Sequence, residues 1–192
     1  MATEREAKIP IPAREPFQRR LVELGAKPLG DAVERNWVFD REAPGALAPR
    51  GMLLRLRTVD GRAGGLLTVK RMLAPSPAEG AFKVREELET RVDRPETMRA
   101  QLEALGFSVA WRYEKRRDEW DWRGCRVAVD DCPGLGCFVE AEGGEEAIRA
   151  VLADLGLEAS AHVPANYLGL WAERCRRGGV PFGDMLFEEP VA

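Results

Sequence analysis

Residues 3–9 alternate with period two, the pattern of a strand whose faces meet different surroundings, and Pro10 and Pro12 are expected to end it. In REPFQRRLVELG (14–25) the spacing of Phe17, Leu21 and Leu24 predicts one helical face, with Gly25 as its stop. NWVFD (36–40) reads as a strand, and the Pro- and Gly-rich stretch 41–51 reads as a loop. MLLRLRTVD (52–60) and LLTVKRM (66–72) read as two strands of a hairpin joined by DGRAGG, and PSPAEG (75–80) as another loop. FKVREELETRV (82–92) is strand-like, and RPETMRAQLEALG (94–106) spaces Met98, Leu102 and Leu105 for one helical face. Strand patterns follow at 111–122, 125–132 and 136–143, then helices at 145–156 and 165–175. The sum is about eight strands and three to four helices, with hairpins dominating, so the sheet should be antiparallel and closed.

Alternation also assigns each strand two faces, and one of them is charged. Glu4, Glu6 and Lys8 share a face, as do Arg55 and Arg57 opposite Leu54 and Leu56. Lys70 aligns with Thr68 and Leu66. Lys83, Arg85, Glu87 and Glu89 fall together opposite Val84 and Leu88. Lys115 pairs with Arg117, and Glu140 with Glu142 opposite Val139 and Ala141. On any one strand this is the solvated outside of a sheet. Its recurrence on most strands, sorted into acidic pairs and basic pairs, argues otherwise, because like charges on neighbouring positions repel. Such pairs suit a ligand that carries both a metal and a polyanion. Closing the sheet turns the charged face inward, and an eight-stranded barrel has room for side chains or one small ligand. The expected fold is therefore α+β: a closed antiparallel eight-stranded β-barrel, a tunnel with a charged interior, and helices packed outside.

Composition adds boundaries. The chain has 192 residues, 45% apolar and 32% charged, enough for one domain with a substantial core. The reading is a tunnel domain over 1–175 followed by a tail over 176–192, ordered or frayed. No stretch approaches the roughly 20 apolar residues of a membrane helix, and the charged start MATEREAKIPIP is unlike a signal peptide. A cytoplasmic location without a membrane partner is the default. A net charge of −3 gives no overall attraction to nucleic acid. Cys125, Cys132, Cys137 and Cys175 lack CxxC spacing and read as free thiols; with one histidine, His162, a zinc site is not expected. His162 reads as a surface or lid residue, and Trp111, Trp120, Trp122 and Trp171 as packing residues.

These residues stand in an order that resembles the CYTH superfamily, the triphosphate tunnel metalloenzymes, whose members include class IV adenylyl cyclases, thiamine triphosphatases and inorganic triphosphatases. The family's ExExK stands as Glu4-Arg5-Glu6-Ala7-Lys8. NWVFD and LLRLR, with Arg55 and Arg57, follow; LTVK supplies Lys70, and RxExE stands as Arg85, Glu87 and Glu89. KxR is Lys115 and Arg117, VDDCPGLGCFVEAE supplies Asp130, Glu140 and Glu142, and NYLGLW places Tyr167. The resemblance spans about residues 2–172. Trp37 and Val38 in NWVFD depart from relatives that often carry a tyrosine there, and the tail after 175 is extra.

The resemblance implies a division of labour. Lys8, Arg55, Arg57, Lys70, Arg85, Lys115 and Arg117 would bind the triphosphate, Arg through planar forks and Lys as compact charges, with Lys83 a further member. Glu4, Glu6, Glu140 and Glu142, with Asp130, Glu87 and Glu89 nearby, would hold Mg²⁺ or Mn²⁺. Lys8, Glu4 and Glu6 are the candidate catalytic residues. A hydrolase acting on inorganic triphosphate or nucleoside triphosphates would direct an activated water at the terminal phosphorus, a carboxylate or Lys8 assisting proton transfer. A class IV adenylyl cyclase would instead direct the ribose 3′-hydroxyl at the α-phosphorus of ATP and expel pyrophosphate. LVELGAKPLG and LEALGF look closer to the cyclase branch than to animal thiamine triphosphatases. A non-catalytic polyphosphate- or nucleotide-binding module is the remaining alternative, and a homodimer is a family-level expectation.

Overall fold

The computed structural model describes residues 2–41, 47–72 and 82–188. Its strands are β1 (Ala2–Ile11), β2 (Lys27–Arg41), β3 (Met52–Val59), β4 (Gly65–Met72), β5 (Lys83–Val92), β6 (Phe107–Trp122), β7 (Cys125–Cys132) and β8 (Gly136–Glu142). The helices are α1 (Glu15–Glu23), α2 (Pro95–Ala104), α3 (Glu145–Asp154) and α4 (Tyr167–Gly178). The expected loop at 75–80 and residues 42–46 of the loop at 41–51 lie outside the described residues, as do the last four of the tail.

All eight strands close into one antiparallel barrel in the order β1-β5-β4-β3-β2-β6-β7-β8. Closure follows from the alternation. The apolar positions of the strands face outward and are covered by helices, which leaves the charged positions facing the axis. Ala7, Ile9, Val127, Val129, Val139 and Ala141 form an outer layer with Leu21 of α1 and Ile148, Val151 and Leu152 of α3. A second outer layer joins Phe39, Leu54, Leu56 and Val92 to Leu102 and Met98 of α2. Leu105, expected on that face, is 68% exposed because α2 ends at Ala104 and Leu105 lies beyond its last turn.

Three elements run differently from the sequence pattern. β1 continues through Pro10, which lies opposite Phe138, to Ile11. The Lys8 backbone N–H and C=O point away from β8, so Pro10, two residues on, has its nitrogen on that same side, where no ladder hydrogen bond with β8 is lost. β2 begins at Lys27 rather than 36, and β6 at Phe107 rather than 111. Register shifts between Pro28 and Gly30 and between Val38 and Phe39 break the period-two pattern there.

One end of the barrel interior is apolar. Val38, Trp111, Tyr113, Cys132, Phe138, Tyr167 and Met185 form a buried cluster with Leu53 and Leu168 packed against it. The chain after α3 closes that end. His162 and Val163 bond to the β1 backbone at Lys8, α4 follows, and Met185 makes an isolated parallel bridge to Tyr113 on β6. Met185 thus packs the tail on the barrel.

Candidate active site

The remaining interior is a cavity of about 650 Å³ lined by charged side chains from all eight strands, β7 contributing Arg126. The structure brings Glu4, Glu6, Lys8, Arg55, Arg57, Lys70, Arg85, Glu87, Glu89, Lys115, Arg117, Glu140 and Glu142 to this one cavity. Asp130 also points inward and is completely buried. The Lys83 side chain is outside the described set.

The charges sort into two regions. In the deeper one, Arg117 donates from Nε to Asp130 Oδ1 at 2.7 Å and from Nη2 to Oδ2 at 2.6 Å, and also pairs with Glu140. Lys115 Nζ lies 3.1 Å from Asp130 and 3.4 Å from Glu34. Tyr167 donates its hydroxyl proton to Asp130 Oδ2 at 2.7 Å. Lys8 Nζ lies 3.2 Å from Glu140 and 3.4 Å from Glu6. Burial opposes the charge of Glu140, but Lys8, Lys115 and Arg117 outweigh it and hold the carboxyl well below the usual range. Burial likewise opposes the charge on Lys8, and Glu140 and Glu6 overcome it, so its pKa rises and the ammonium keeps its proton.

The second region is acidic. β1–β8 register sets Glu6 directly opposite Glu142, and β1–β5 register sets Glu4 opposite Arg85, one position from Glu86 and two from Glu87. Like charges directly opposite each other on one face repel. Lys70 Nζ lies 3.0 Å from both Glu4 oxygens and also pairs with Glu87, while Glu89 accepts from Thr68 Oγ1 at 2.8 Å. Burial and Glu87 raise the Glu4 carboxyl above its ordinary value; burial, Glu140 and Glu4 raise Glu6. Glu142 stands at the exposed mouth, yet desolvation with Glu4 and Glu87 pushes it up to about 7. Burial and mutual repulsion leave Glu4, Glu6 and Glu142 short of positive charge, whereas Glu87, beside Lys70, is lowered. Hard oxygen donors of this kind fit Mg²⁺ or Mn²⁺. Among the described residues no three carboxylates form a ready-made metal cage, so phosphate oxygens and water would have to complete the shell.

Two cations are the converse. Arg55 is buried, and among the described residues its one hydrogen bond is from Nη1 to the Tyr113 hydroxyl at 3.3 Å, with Nε unpartnered. Arg85 is buried with no carboxylate within ion-pair distance among the described residues. Arg57, by contrast, is held by Glu34 at 2.8 Å and Asn36 at 3.1 Å.

Glu34, Asn36 and Tyr113 are functional neighbours that the sequence reading did not name. Extending the alternation back from Asn36 reaches Glu34, and back from Lys115 reaches Tyr113 and Trp111. Pro28, Gly30 and Asp31 gave the start of the first run the composition of a loop. Burial opposes the charge of Glu34, and Arg57 and Lys115 hold it well below the usual carboxylate range. His162 is a lid residue in a specific sense: its Nδ1 accepts the Lys8 backbone N–H at 3.0 Å. The four cysteines are free thiols.

Solved structures share this barrel. The PH1012 protein of Pyrococcus horikoshii is 25% identical, with a TM-score of 0.73 over 87% of this chain and 98% of that one. A candidate adenylate cyclase of Vibrio parahaemolyticus is 18% identical, with a TM-score of 0.74 over 88% of this chain and 97% of that one. HpAC1 of Hippeastrum, a candidate adenylyl cyclase described as having a dominant triphosphatase activity, is 21% identical, with a TM-score of 0.62 over 95% and 98% of the two chains. No curated protein matches the sequence. A model of the CYTH domain matches residues 2–158, all eight strands and α1 to α3, and the chain belongs to that family.

Proposed function

We propose that the chain is a metal-dependent triphosphatase that hydrolyses inorganic triphosphate or nucleoside triphosphates inside the barrel. The observation that carries this reading is that two buried guanidinium groups, Arg55 and Arg85, have no carboxylate within ion-pair distance among the described residues, while burial and mutual repulsion raise the Glu4, Glu6 and Glu142 carboxyls in the same cavity. A buried charge without a partner is costly. A polyanion accompanied by a divalent cation satisfies both regions together, which neither phosphate nor metal alone would do.

Phosphoryl transfer asks a protein mainly for positioning and charge neutralisation. Arg55 and Arg85 would take phosphate oxygens directly through planar forks. Lys70, Lys115, Arg57 and Arg117 would follow, each already oriented by a carboxylate that keeps it extended toward the axis. Glu4, Glu6 and Glu142, with Glu87 and Glu89 beside them, would hold Mg²⁺ or Mn²⁺, which when bound supplies Lewis-acid neutralisation of the phosphate charge. Asp130 and Glu140 are better placed to organise the cations than to ligate, since their oxygens already accept from Lys8, Lys115, Arg117 and Tyr167.

Hydrolysis adds water to the terminal phosphorus and breaks its bond to the bridging oxygen. Glu6, with its raised pKa and its place beside Lys8, is the carboxylate best suited to accept the proton of the water. Lys8, held protonated, would stabilise the charge that develops on the phosphoryl oxygens.

The test is product analysis. Purified protein is incubated with inorganic triphosphate, ATP and thiamine triphosphate, each with Mg²⁺ or Mn²⁺, beside a Glu4→Gln/Glu6→Gln control. Orthophosphate release that disappears in the control is the expected result. Cyclic AMP with pyrophosphate would assign a cyclase instead, a distinction that matters because both names meet on the same barrel in HpAC1. Binding without turnover would assign the non-catalytic module.

A further inference from the structure

The family match ends at Glu158, yet the barrel is not finished there. β5 begins at Lys83 and pairs with β1 only as far as Glu6, so among the described residues no strand lies beside β1 at Lys8 on that edge. His162 and Val163 fill that place: the Lys8 N–H donates to His162 Nδ1 at 3.0 Å, and the Val163 N–H donates to the Lys8 carbonyl at 2.8 Å. β7 pairs with β6 only from Arg116 onward, so β6 has a second free edge. Met185 fills that one, donating to the Arg112 carbonyl at 3.0 Å and accepting from Glu114 N–H at 2.8 Å. Gly183 is tied on as well, its carbonyl accepting from Trp111 and Trp171 at 3.2 and 2.7 Å. Between the two anchors α4 crosses the end of the barrel, started by Asn166, whose side chain accepts from the Gly169 N–H at 2.8 Å.

The inward side of this crossing meets the reacting region. Lys8 Nζ donates to the Ala165 carbonyl at 3.3 Å and stands 4.2 Å from the centre of the Tyr167 ring. Lys115 Nζ stands 5.3 Å from the same ring, and the Tyr167 hydroxyl bonds to Asp130. One side chain thus touches both lysines and the aspartate that orients Lys115 and Arg117.

We propose that residues 162–187 act as a clasp that positions Lys8, with Tyr167 as the positioning residue; this rests on the triphosphatase reading for its kinetic consequence. Lys8 is gripped at its backbone N–H, its backbone carbonyl and its ammonium, all by one short segment from outside the family-matched region. The ring gives the ammonium a face to rest on while its protons point to the Ala165 carbonyl, Glu6 and Glu140. Losing this support lets Lys8 swing toward Glu6 or Glu140 and out of register with the transferring phosphoryl group. A displacement of that size acts on the chemical step more than on ground-state binding, which Arg55 and Arg85 carry.

The experiment compares Tyr167→Leu with Tyr167→Phe, and His162→Leu with His162→Asn, in hydrolysis of inorganic triphosphate with Mg²⁺. Phe keeps the ring, and the Asn side-chain oxygen can take the acceptor role of Nδ1. Both Leu variants should lower kcat about tenfold or more while KM changes less than about threefold. Phe and Asn should restore most of kcat. Wild-type kcat in the Leu variants, a loss carried by KM, or no rescue would overturn the proposal. Hydrogen exchange in the unaltered protein needs no variant to fold and no turnover. The Lys8 and Val163 amides should exchange slowly and together, and a freely exchanging Val163 amide would overturn the clasp. Absence of any turnover in wild type would defeat the triphosphatase reading while leaving this exchange measurement decisive for the clasp.

Discussion

Arg117 meets Asp130 through two parallel hydrogen bonds, Nε to Oδ1 at 2.7 Å and Nη2 to Oδ2 at 2.6 Å, at a point where the aspartate has no solvent contact at all. Lys115 and Tyr167 complete the shell of the carboxylate. Asp130 therefore offsets a cluster of cations that the barrel would otherwise bury without compensation.

Asp130→Asn should remove that compensation. Breaking a buried pair by deleting one partner costs about 3–5 kcal/mol, because the other charge stays buried and alone. Urea denaturation of the metal- and ligand-free variant should show a loss of this order. Saturating triphosphate with Mg²⁺ should recover part of it, since the phosphates supply the missing negative charge. A variant as stable as wild type would mean that Arg117 and Lys115 find other partners in the cavity.

Arg55 and Arg85 should behave in the opposite way. Neither has a carboxylate within ion-pair distance among the described residues, so Arg55→Gln and Arg85→Gln remove a desolvated charge that lacks a close counter-ion and should leave stability unchanged or higher. A hydrogen bond to a charged group contributes about 1.5–3 kcal/mol, so each variant should weaken triphosphate binding by roughly ten- to a hundredfold. Calorimetric titration and a thermal melt on the same samples check both halves. Unchanged affinity in both variants would remove the main support for a polyanion site.

The barrel and most of its charged wall were legible because period-two alternation runs undisturbed through Glu4–Lys8, Arg55–Arg57, Arg85–Glu89 and Glu140–Glu142. Where turn-forming residues lead into a strand, as Pro28, Gly30 and Asp31 do in β2, the reading began late, and Glu34 was lost with the first half of the strand. Composition left the tail either ordered or frayed, and Met185 is 1% exposed. Its burial depends on a gap beside β6 that exists only once β7 has turned away, and such a long-range fact leaves no local signature. Alternation also marks which face a residue occupies and not which charges meet. Glu140 and Glu142 read alike along the chain, but one is surrounded by three cations and the other by carboxylates.

That contrast sets a pH dependence. Desolvation, with Glu4 and Glu87 close by, pushes the Glu142 carboxyl up to about 7 in the folded chain from its ordinary value of 4.5. Between those values the folded protein holds a proton that the unfolded chain has released, so the stabilisation it gives is complete below pH 4.5 and is lost as pH rises through 7. Glu142→Gln removes this dependence. In metal-free buffer the variant should melt about 2–4 °C above wild type at pH 8 and show little difference at pH 5, in a chain of this size. An equal shift at both pH values would point to packing in place of charge.

The carboxylates are not idle before a metal arrives, because Lys70 stands between Glu4 and Glu87. A divalent cation added alone must displace that ammonium into a wall already rich in positive charge. Triphosphate added alone must approach Glu4, Glu6 and Glu142 without anything to screen them. Added together, the phosphates draw Lys70 away while the metal takes its place, so the two ligands should bind with positive coupling. Ligand at 100 times its dissociation constant stabilises by about 2.7 kcal/mol, which for a domain of this size corresponds to roughly 5–10 °C in Tm. Mg²⁺ or triphosphate alone should each give a much smaller shift, and the pair should exceed their sum. In Lys70→Ala, metal alone should bind more readily and the coupling should shrink. Strictly additive shifts in wild type would show that Lys70 does not gate the acidic region.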